Sequence, residues 1–296
     1  MYRDDAREER KRIFQDTVKI YQSNETLIKS IEHSKKGQFI LLETEQLKVT
    51  STKRFDTPAK VIVSKKRSLE ASKEYVGNHV GVLNFASATN PGGGVVRGSS
   101  AQEEAICRCS TLYSCISDYF IASNFHYLHR ELLNTNQMSV LYNDDCIYTP
   151  DVTVFKTDIT SPTLMDEKEW YQVDIITCAA PNLRNKSSNS MSSNAGTNTI
   201  KIKAHELLNL HMKRMKRILD LAKLNGIDVI ILGAFGCGAF QNPPEIVSEA
   251  MARVIKEYLY DFKVIEFAIY CKSSETRNYE IFNRYCTEVI IKLKFL

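Results

Sequence analysis

Two adjacent glutamates, Glu103 and Glu104, carry the strongest chemical signal in the sequence. They follow three consecutive glycines, Gly92–Gly94, and stand where the apolar pattern predicts the start of a helix. Two carboxyl groups in one site can divide the roles of proton donor and charged partner. The pair therefore indicates general acid–base chemistry.

The elements around the pair must position it. Val80–Ala86 is an apolar run typical of a buried central strand, and it leads into the glycines. Ser100, with Glu103 three residues later, predicts a capping box at the helix start. A strand, a glycine-rich loop and a helix N-terminus together present N–H groups to an anion, usually a phosphate. The Gly-Lys-Ser/Thr ending of a Walker loop is absent.

The same arrangement is predicted a second time. Asp228–Gly233 has the pattern of a buried strand and runs into GAFGCGAF, which spans residues 233–240. Asn242 as cap, Pro243 in the first helical position and Glu245 then predict another helix start. Two such loops suit a ligand with a central diphosphate and a sugar at each end. Neither loop matches G-x-G-x-x-G, which argues against a nicotinamide or flavin dehydrogenase.

The first loop carries a family resemblance. Gly92–Gly94, seven further residues and then Gln102-Glu103-Glu104 resemble the GGG…QEE signature of poly(ADP-ribose) glycohydrolases. The flanking segments LNFASATNPGGG and EEAICRCSTLY resemble the microbial branch of that family, and GAFGCGAF resembles its second ligand loop. The resemblance covers nearly the whole chain. It implies an α/β fold, a macrodomain-like mixed sheet flanked by helices on both faces, with an N-terminal helical extension.

The resemblance also implies an activity and its residues. The expected reaction is hydrolysis of the ribosyl O-glycosidic bond of poly(ADP-ribose), which releases ADP-ribose. Glu104 would be the acid and then the base, Glu103 would hold the leaving-side ribose, and Asn90 would hold the distal ribose. The implied substrate-binding residues are Asn90, Gly92, Gly93, Gly94, Val95 and Gln102 in the first loop, and Gly233, Ala234, Phe235, Gly236, Cys237, Gly238, Ala239 and Phe240 in the second.

Three other functions stay open at this point. A mono(ADP-ribosyl) hydrolase acting on modified protein or other ADP-ribose conjugates would use the same residues. A non-catalytic ADP-ribose-binding module would have no use for the intact Gln-Glu-Glu turn. A nucleic-acid-binding module is the weakest alternative, because the net charge is only +4 and no such motif occurs.

Composition sets further bounds. A chain of 296 residues with 43% hydrophobic and 25% charged residues is ordinary for a globular protein, and no apolar run predicts a membrane span or a secretory signal. The eight cysteines form no C-x-x-C pair, which favours free thiols in a reducing, cytoplasmic setting, with a nuclear or secreted protein still open. We expect a monomer without a cofactor. We also expect no metal site, because His126 and His129 lack a third ligand and are predicted to be an exposed pair.

The rest of the chain predicts its organisation. Residues 1–36 form the helical extension, broken at Ser23-Asn24, and residues 37–296 form the catalytic domain. Short strands are predicted at Leu47–Thr50 and Val289–Leu293. The Ser- and Asn-rich stretch Lys186–Asn198 predicts a loop, either a plain connection or a lid over the ligand.

Overall fold

The computed structural model describes residues 2–184 and 201–293, so the predicted loop Lys186–Asn198 lies outside the described residues. The strands are β1 (Phe39–Leu41), β2 (Lys60–Ser64), β3 (Val80–Phe85), β4 (Cys146–Val154), β5 (Tyr171–Cys178), β6 (Val229–Leu232) and β7 (Val264–Ala268). The helices before β4 are α1 (Tyr2–Ser23), α2 (Glu25–Gly37), α3 (Ser68–Lys73), α4 (Gln102–Cys109), α5 (Leu112–Ile116), α6 (Tyr119–Ile121) and α7 (Leu128–Asn134). A π-helical turn, Ala122–Tyr127, joins α6 to α7, and α8 (Ala204–Leu224), α9 (Pro244–Ile255) and α10 (Arg277–Leu293) follow β5.

All of these strands form one mixed sheet in the order β1-β4-β5-β3-β6-β7-β2. The five strands from β5 to β2 run parallel, whereas β4 and β1 are antiparallel to their neighbours. The centre of the sheet is β3, which pairs with β5 on one side and β6 on the other. The loops that follow β3 and β6 therefore leave the same edge of the sheet side by side.

A separate hydrophobic core covers each face of the sheet. Val82 packs with the helices that precede β4, whereas its neighbour Leu83 packs with α8, α9 and α10. The change of face from one residue to the next is the two-residue period of a strand. Both expectations, an α/β fold and helices on both faces, are confirmed. No helix among the described residues could cross a membrane.

The predicted extension forms two helices that pack on the sheet layer. The break falls at Asn24, whose side chain caps α2 by accepting a hydrogen bond from the Leu27 N–H at 3.1 Å. Phe14, Tyr21 and Leu27 are buried, and the Thr17 hydroxyl donates to the Arg108 carbonyl at 2.7 Å. The helices are thus fixed against α4, the helix that carries the glutamate pair.

Two predicted strands are wrong. Leu47–Thr50 belongs to no strand; Leu47 packs against the α8–α10 core, so burial without strand pairing explains its apolar character. Val289–Leu293 is the end of α10, because neither glycine nor proline interrupts the helix that begins at Arg277. Pro150 lies within a single strand, β4, which has an irregularity between Thr149 and Val152.

A buried ion pair ties α8 to the edge of the sheet that carries the two loops. Arg214 is fully buried; its Nε donates to Asp144 at 2.8 Å and its Nη1 donates to the Ala179 carbonyl just after β5 at 2.8 Å. Burial alone would raise the pKa of Asp144, but Arg214 and Lys213 outweigh it and lower that pKa. The stabilisation is therefore present at neutral pH and is lost as the pH falls through the pKa of Asp144.

We expect Arg214→Leu to lower the free energy of unfolding by about 3–5 kcal/mol, because Asp144 would lose its buried partner. Lys213 is the matched control: it also contacts Asp144, at 2.7 Å, but its side chain is 67% exposed. Lys213→Leu should cost no more than about 1 kcal/mol. Urea denaturation at pH 7 measures both, and equal losses would contradict the assignment.

Candidate active site

A cavity of about 270 Å³ lies between the start of α4 and the second glycine loop. Gln102 and Phe85 line it from the first unit, and Gly236, Gly238 and Phe240 line it from the second. The sequence predicted both loops but not their adjacency, which follows from the pairing of β3 with β6. A pocket at the carboxyl edge of parallel strands is where open α/β sheets bind ligands.

The start of α4 differs from the prediction. Its cap is Ala101 rather than Ser100, and no side chain caps the helix, so the predicted capping box is wrong. Glu103 turns toward the end of β3 instead, where its Oε2 accepts from the Ser87 N–H at 2.8 Å and its Oε1 from the Asn84 amide at 3.4 Å. Glu103 is only 3% exposed, and a buried carboxylate must be hydrogen-bonded. Its oxygens therefore accept from these donors instead of capping the helix.

Gln102 joins α4 to the central strand. Its Oε1 accepts from the Phe85 N–H at 2.9 Å, and its Nε2 donates to the Leu83 carbonyl at 2.7 Å and to the Ser68 hydroxyl at 3.0 Å. The side chain lines the cavity, yet its polar atoms bind the protein. Gln102 thus fixes the position of the two glutamates that follow it.

The two oxygens of Glu104 are in different situations. Oε1 accepts from the Gly94 N–H at 2.8 Å. Oε2 is buried and has no hydrogen-bond partner among the residues that the structure describes. Glu103, in contrast, has both oxygens engaged. Of the two carboxyl groups, only that of Glu104 keeps an uncommitted oxygen.

The glycine loop lies directly on these carboxylates. Gly92 and Gly93 have φ angles of 64° and 59°, which disfavour any other residue. A Cβ on Gly93 would lie 2.6 Å from Glu104 Oε1 and 2.9 Å from Glu103 Oε2. The anion that this loop contacts is therefore the glutamate pair of the chain itself. Val95, just beyond the loop, is fully buried in the core beneath it.

Burial and proximity perturb the titration of Glu103. Desolvation and the neighbouring charge of Glu104 raise the pKa of Glu103 well above its ordinary value, although the hydrogen bond from Ser87 opposes them. Glu103 consequently holds its proton to a higher pH than an isolated glutamate would.

Asn90 is held from outside the cavity by a residue that the sequence analysis missed. Arg130 donates from its Nη2 to Asn90 Oδ1 at 2.7 Å and to the Thr89 carbonyl at 2.5 Å. The Asn90 amide nitrogen donates to the Thr89 hydroxyl at 3.0 Å. Arg130 lies 40 residues away in sequence, so no local pattern could reveal it.

The second loop presents free N–H groups to the cavity. Four backbone N–H groups have no acceptor among the described residues, and the residues that carry them line the cavity: Gly236, Gly238, Ala239 and Phe240. The Cys237 N–H, in contrast, donates to the Ala234 carbonyl at 3.0 Å, and the Phe235 N–H donates to the Gly233 carbonyl at 2.8 Å. Four adjacent donors without acceptors suit a diphosphate.

Packing explains the remaining members of the second loop. Phe235 is buried with its ring centroid 5.6 Å from that of Phe85, and a Cβ on Gly233 would lie 2.8 Å from the Ala268 carbonyl. The α9 cap is Pro243, so the predicted Asn242 cap is wrong by one residue. The Asn242 amide instead donates to the carbonyls of Pro181 and Gly236, which closes the loop.

Residues distant in sequence form the other end of the cavity and brace the first loop. Arg67, Tyr270 and Asp158 line the cavity, with the Arg67 guanidinium 3.9 Å from the centre of the Tyr270 ring. From α1, Arg7 and Arg10 each donate from Nε, at 2.7 Å, to the carbonyls of Arg97 and Gly98. No sequence pattern indicated either set of residues.

The predicted exposure of the two histidines is wrong. His126 lies in the π-helical turn and His129 in α7, and both side chains are buried. Burial lowers the pKa of His126 to about 3. His129 contacts Asp145 at 2.9 Å. Within residues 2–184 and 201–293, no group of three or more His, Cys, Asp or Glu side chains could hold a metal ion.

Comparisons with known proteins agree with this geometry. The family model described as the catalytic domain of microbial-type PARG, poly(ADP-ribose) glycohydrolase, matches residues 7–157, just over half of the chain. The structure of that enzyme from Thermomonospora curvata is 25% identical, with a TM-score of 0.77, and the match covers 93% of this chain and 98% of that one. A comparison with curated protein sequences gave no match.

Two ligand complexes are similar to the chain as well. The Thermomonospora curvata enzyme bound to the inhibitor ADP-HPD is 26% identical, with a TM-score of 0.73 over the same shares of the two chains. Poly(ADP-ribose) glycohydrolase from Deinococcus radiodurans in complex with ADP-ribose is 26% identical, with a TM-score of 0.69 over 88% of this chain and 98% of that one.

We expect Gly93→Ala to destabilise the protein by about 1–3 kcal/mol or more, since the new Cβ would meet both carboxylates at a strained backbone position. Gly238→Ala is the matched control, because a Cβ there has nothing within 4 Å. Thermal melting compares the two variants, and a normal melt for Gly93→Ala would mean that the loop does not rest on the glutamates.

Proposed function

Because the chain belongs to the microbial-type poly(ADP-ribose) glycohydrolase family, we propose that it hydrolyses the ribosyl O-glycosidic bond of poly(ADP-ribose), with Glu104 as acid and base. The observation that supports this role most directly is that Glu104 Oε2 has no hydrogen-bond partner among the described residues, whereas both oxygens of Glu103 accept hydrogen bonds. This carboxyl oxygen can donate a proton without losing an existing contact.

The reaction needs both carboxyl groups. Glu104 gives its proton to the leaving ribose oxygen as the C–O bond breaks, and the distal ribose develops oxocarbenium character. Glu104 then accepts a proton from the water that attacks the same carbon. Glu103 positions the leaving-side ribose, because its weak 3.4 Å contact with Asn84 leaves room to accept a ribose hydroxyl.

The cavity accounts for the rest of the substrate. The free N–H groups of the second loop bind the diphosphate, and Asn90 binds the distal ribose near Gly92–Gly94. The aromatic and charged end, with Tyr270, Arg67 and Asp158, is left for the adenosine. Adenine stacks readily on aromatic rings and on guanidinium groups.

We also propose that residues 1–36 are an extension of the catalytic domain, residues 37–296, and that the extension braces the site. The contacts of Arg7 and Arg10 with the turn after the glycine loop support this role. All eight cysteines are free thiols, which supports a reducing compartment, and a monomer is the proposed state.

Glu104→Gln should lower turnover of poly(ADP-ribose) by at least about 10²-fold, the usual effect of losing a general acid. Affinity for ADP-ribose should stay within about tenfold, because the side chains have nearly the same shape. Product analysis on poly(ADP-ribose) and on mono(ADP-ribosyl)ated protein, with Glu257→Gln as an exposed control, measures the effect and the preferred substrate. Wild-type turnover in a folded variant would contradict the role of Glu104.

The same variant has a predicted signature in stability. Because the pKa of Glu103 is raised, its favourable contribution is present at low pH and is lost as the pH rises through that pKa. Without the negative charge of Glu104, the pKa of Glu103 is raised less, so less stability is lost as the pH rises. The melting temperature of Glu104→Gln should therefore exceed that of the wild type, and by more at pH 8 than at pH 5.

Gly238→Val should weaken ADP-ribose binding by about 1.5–3 kcal/mol, because the side chain would block N–H donors to a charged phosphate. Gly238 has no positive φ and its Cβ would face open space, so the melt should stay normal. Gly236→Ala should unfold more easily instead, since its φ is 79° and its Cβ would lie 2.6 Å from Ala180. Calorimetric titration tests the site; unchanged affinity for Gly238→Val would place the diphosphate elsewhere.

A further inference from the structure

Three large aromatic side chains are exposed on the segment that leads to Arg130. Tyr119 is 84% exposed, Phe120 66% and Tyr127 45%; we call these three side chains the aromatic surface. Ile121 and Phe125, on the same segment, point into the core. The segment is therefore anchored from within and presents aromatic rings outward, which is uncommon without a binding role.

The aromatic surface is continuous with the catalytic loop. The Arg130 guanidinium lies 5.2 Å from the centre of the Tyr127 ring, and the same guanidinium donates to Asn90 at 2.7 Å. The residues between Phe120 and Arg130 include the π-helical turn, a rare feature that is frequent at functional sites. At about 1.5 Å per residue, Phe120 lies roughly 15 Å along the segment from Arg130.

The aromatic surface lies outside the cavity. None of Tyr119, Phe120 and Tyr127 lines it. In the proposed function the scissile bond is at the distal ribose, which is assigned to Asn90, and the polymer continues from that bond. Arg130 contacts Asn90, so the aromatic surface is placed to meet the next unit.

Resting on the proposed function, we propose that the aromatic surface and Arg130 bind the ADP-ribose unit on the leaving side of the scissile bond. Every repeat of the polymer carries an adenine and a diphosphate. The adenine stacks on Phe120 or Tyr127, and the positive charge of Arg130 favours the phosphates. The one acid at the start of the segment, Asp118, is paired with Lys35 at 3.0 Å and so repels the polymer little.

The test compares two substrates in each variant. One is poly(ADP-ribose), and the other is ADP-ribose with a small phenol as leaving group on the same anomeric carbon, which has no second adenine. In at least one of Phe120→Ala and Tyr127→Ala, the ratio of kcat/KM on polymer to kcat/KM on the phenol conjugate should fall at least about fivefold, as expected for the loss of one stacked base. The loss should appear mainly as a higher KM for the polymer.

Two control variants separate stacking from structural effects. Tyr127→Phe keeps the ring and should keep the wild-type ratio. Leu224→Ala removes an apolar side chain that is 45% exposed at the end of α8, on the opposite face of the sheet, and should also keep the ratio. Circular dichroism confirms that each variant is folded.

The possible outcomes are distinct. An unchanged ratio in Phe120→Ala and Tyr127→Ala, with polymer still cleaved, would refute the leaving-side subsite and leave the proposed function standing. An equal loss on both substrates would also refute it, because the segment would then act only by holding Asn90. A wild-type protein that cleaves neither substrate would refute the proposed function itself.

Discussion

The active site depends on the contact between a glycine loop and two buried carboxyl groups. Glu103 and Glu104 are 3% and 7% exposed, and burying two acids together is costly unless donors surround them. The Gly94 and Ser87 N–H groups supply such donors at 2.8 Å each. A side chain at Gly93 would end this approach, which is why the loop must be glycine.

The neighbouring parts of the fold hold that contact in place. Gln102 ties the start of α4 to β3, and Arg7 and Arg10 hold the turn on the other side of the loop. Arg130 holds Asn90 from outside. The loop and the glutamate pair are thus supported by α1, α4 and α7 together.

The two glycine loops look alike in sequence, but their backbone N–H groups differ in what they contact. The first directs its N–H groups at the glutamates of the chain, whereas four N–H groups of the second have no acceptor within residues 2–184 and 201–293. The first loop therefore holds the glutamate pair, whereas the second keeps N–H donors that are available to an anion. The pairing of β3 with β6 then sets the two loops side by side at one edge of the sheet.

The sequence by itself determined most of the elements near the site and the family. The apolar runs predicted β3 and β6, the helix break at Asn24 was correct, and the order Gly-Gly-Gly to Gln-Glu-Glu indicated the family and its acid–base pair. These features are local, because they depend on residue type and spacing within a few turns of chain. The family then supplied the fold class, which the sheet confirms.

Only the tertiary structure decided how the glutamate pair is held. Glu103 looked like a helix cap, but burial turned it toward Ser87 and Asn84, and the two histidines that looked exposed lie in the core. Arg130 reaches Asn90 across 40 residues of sequence. Such contacts arise from desolvation and from the order of strands in the sheet, and neither is written in the spacing of neighbouring residues.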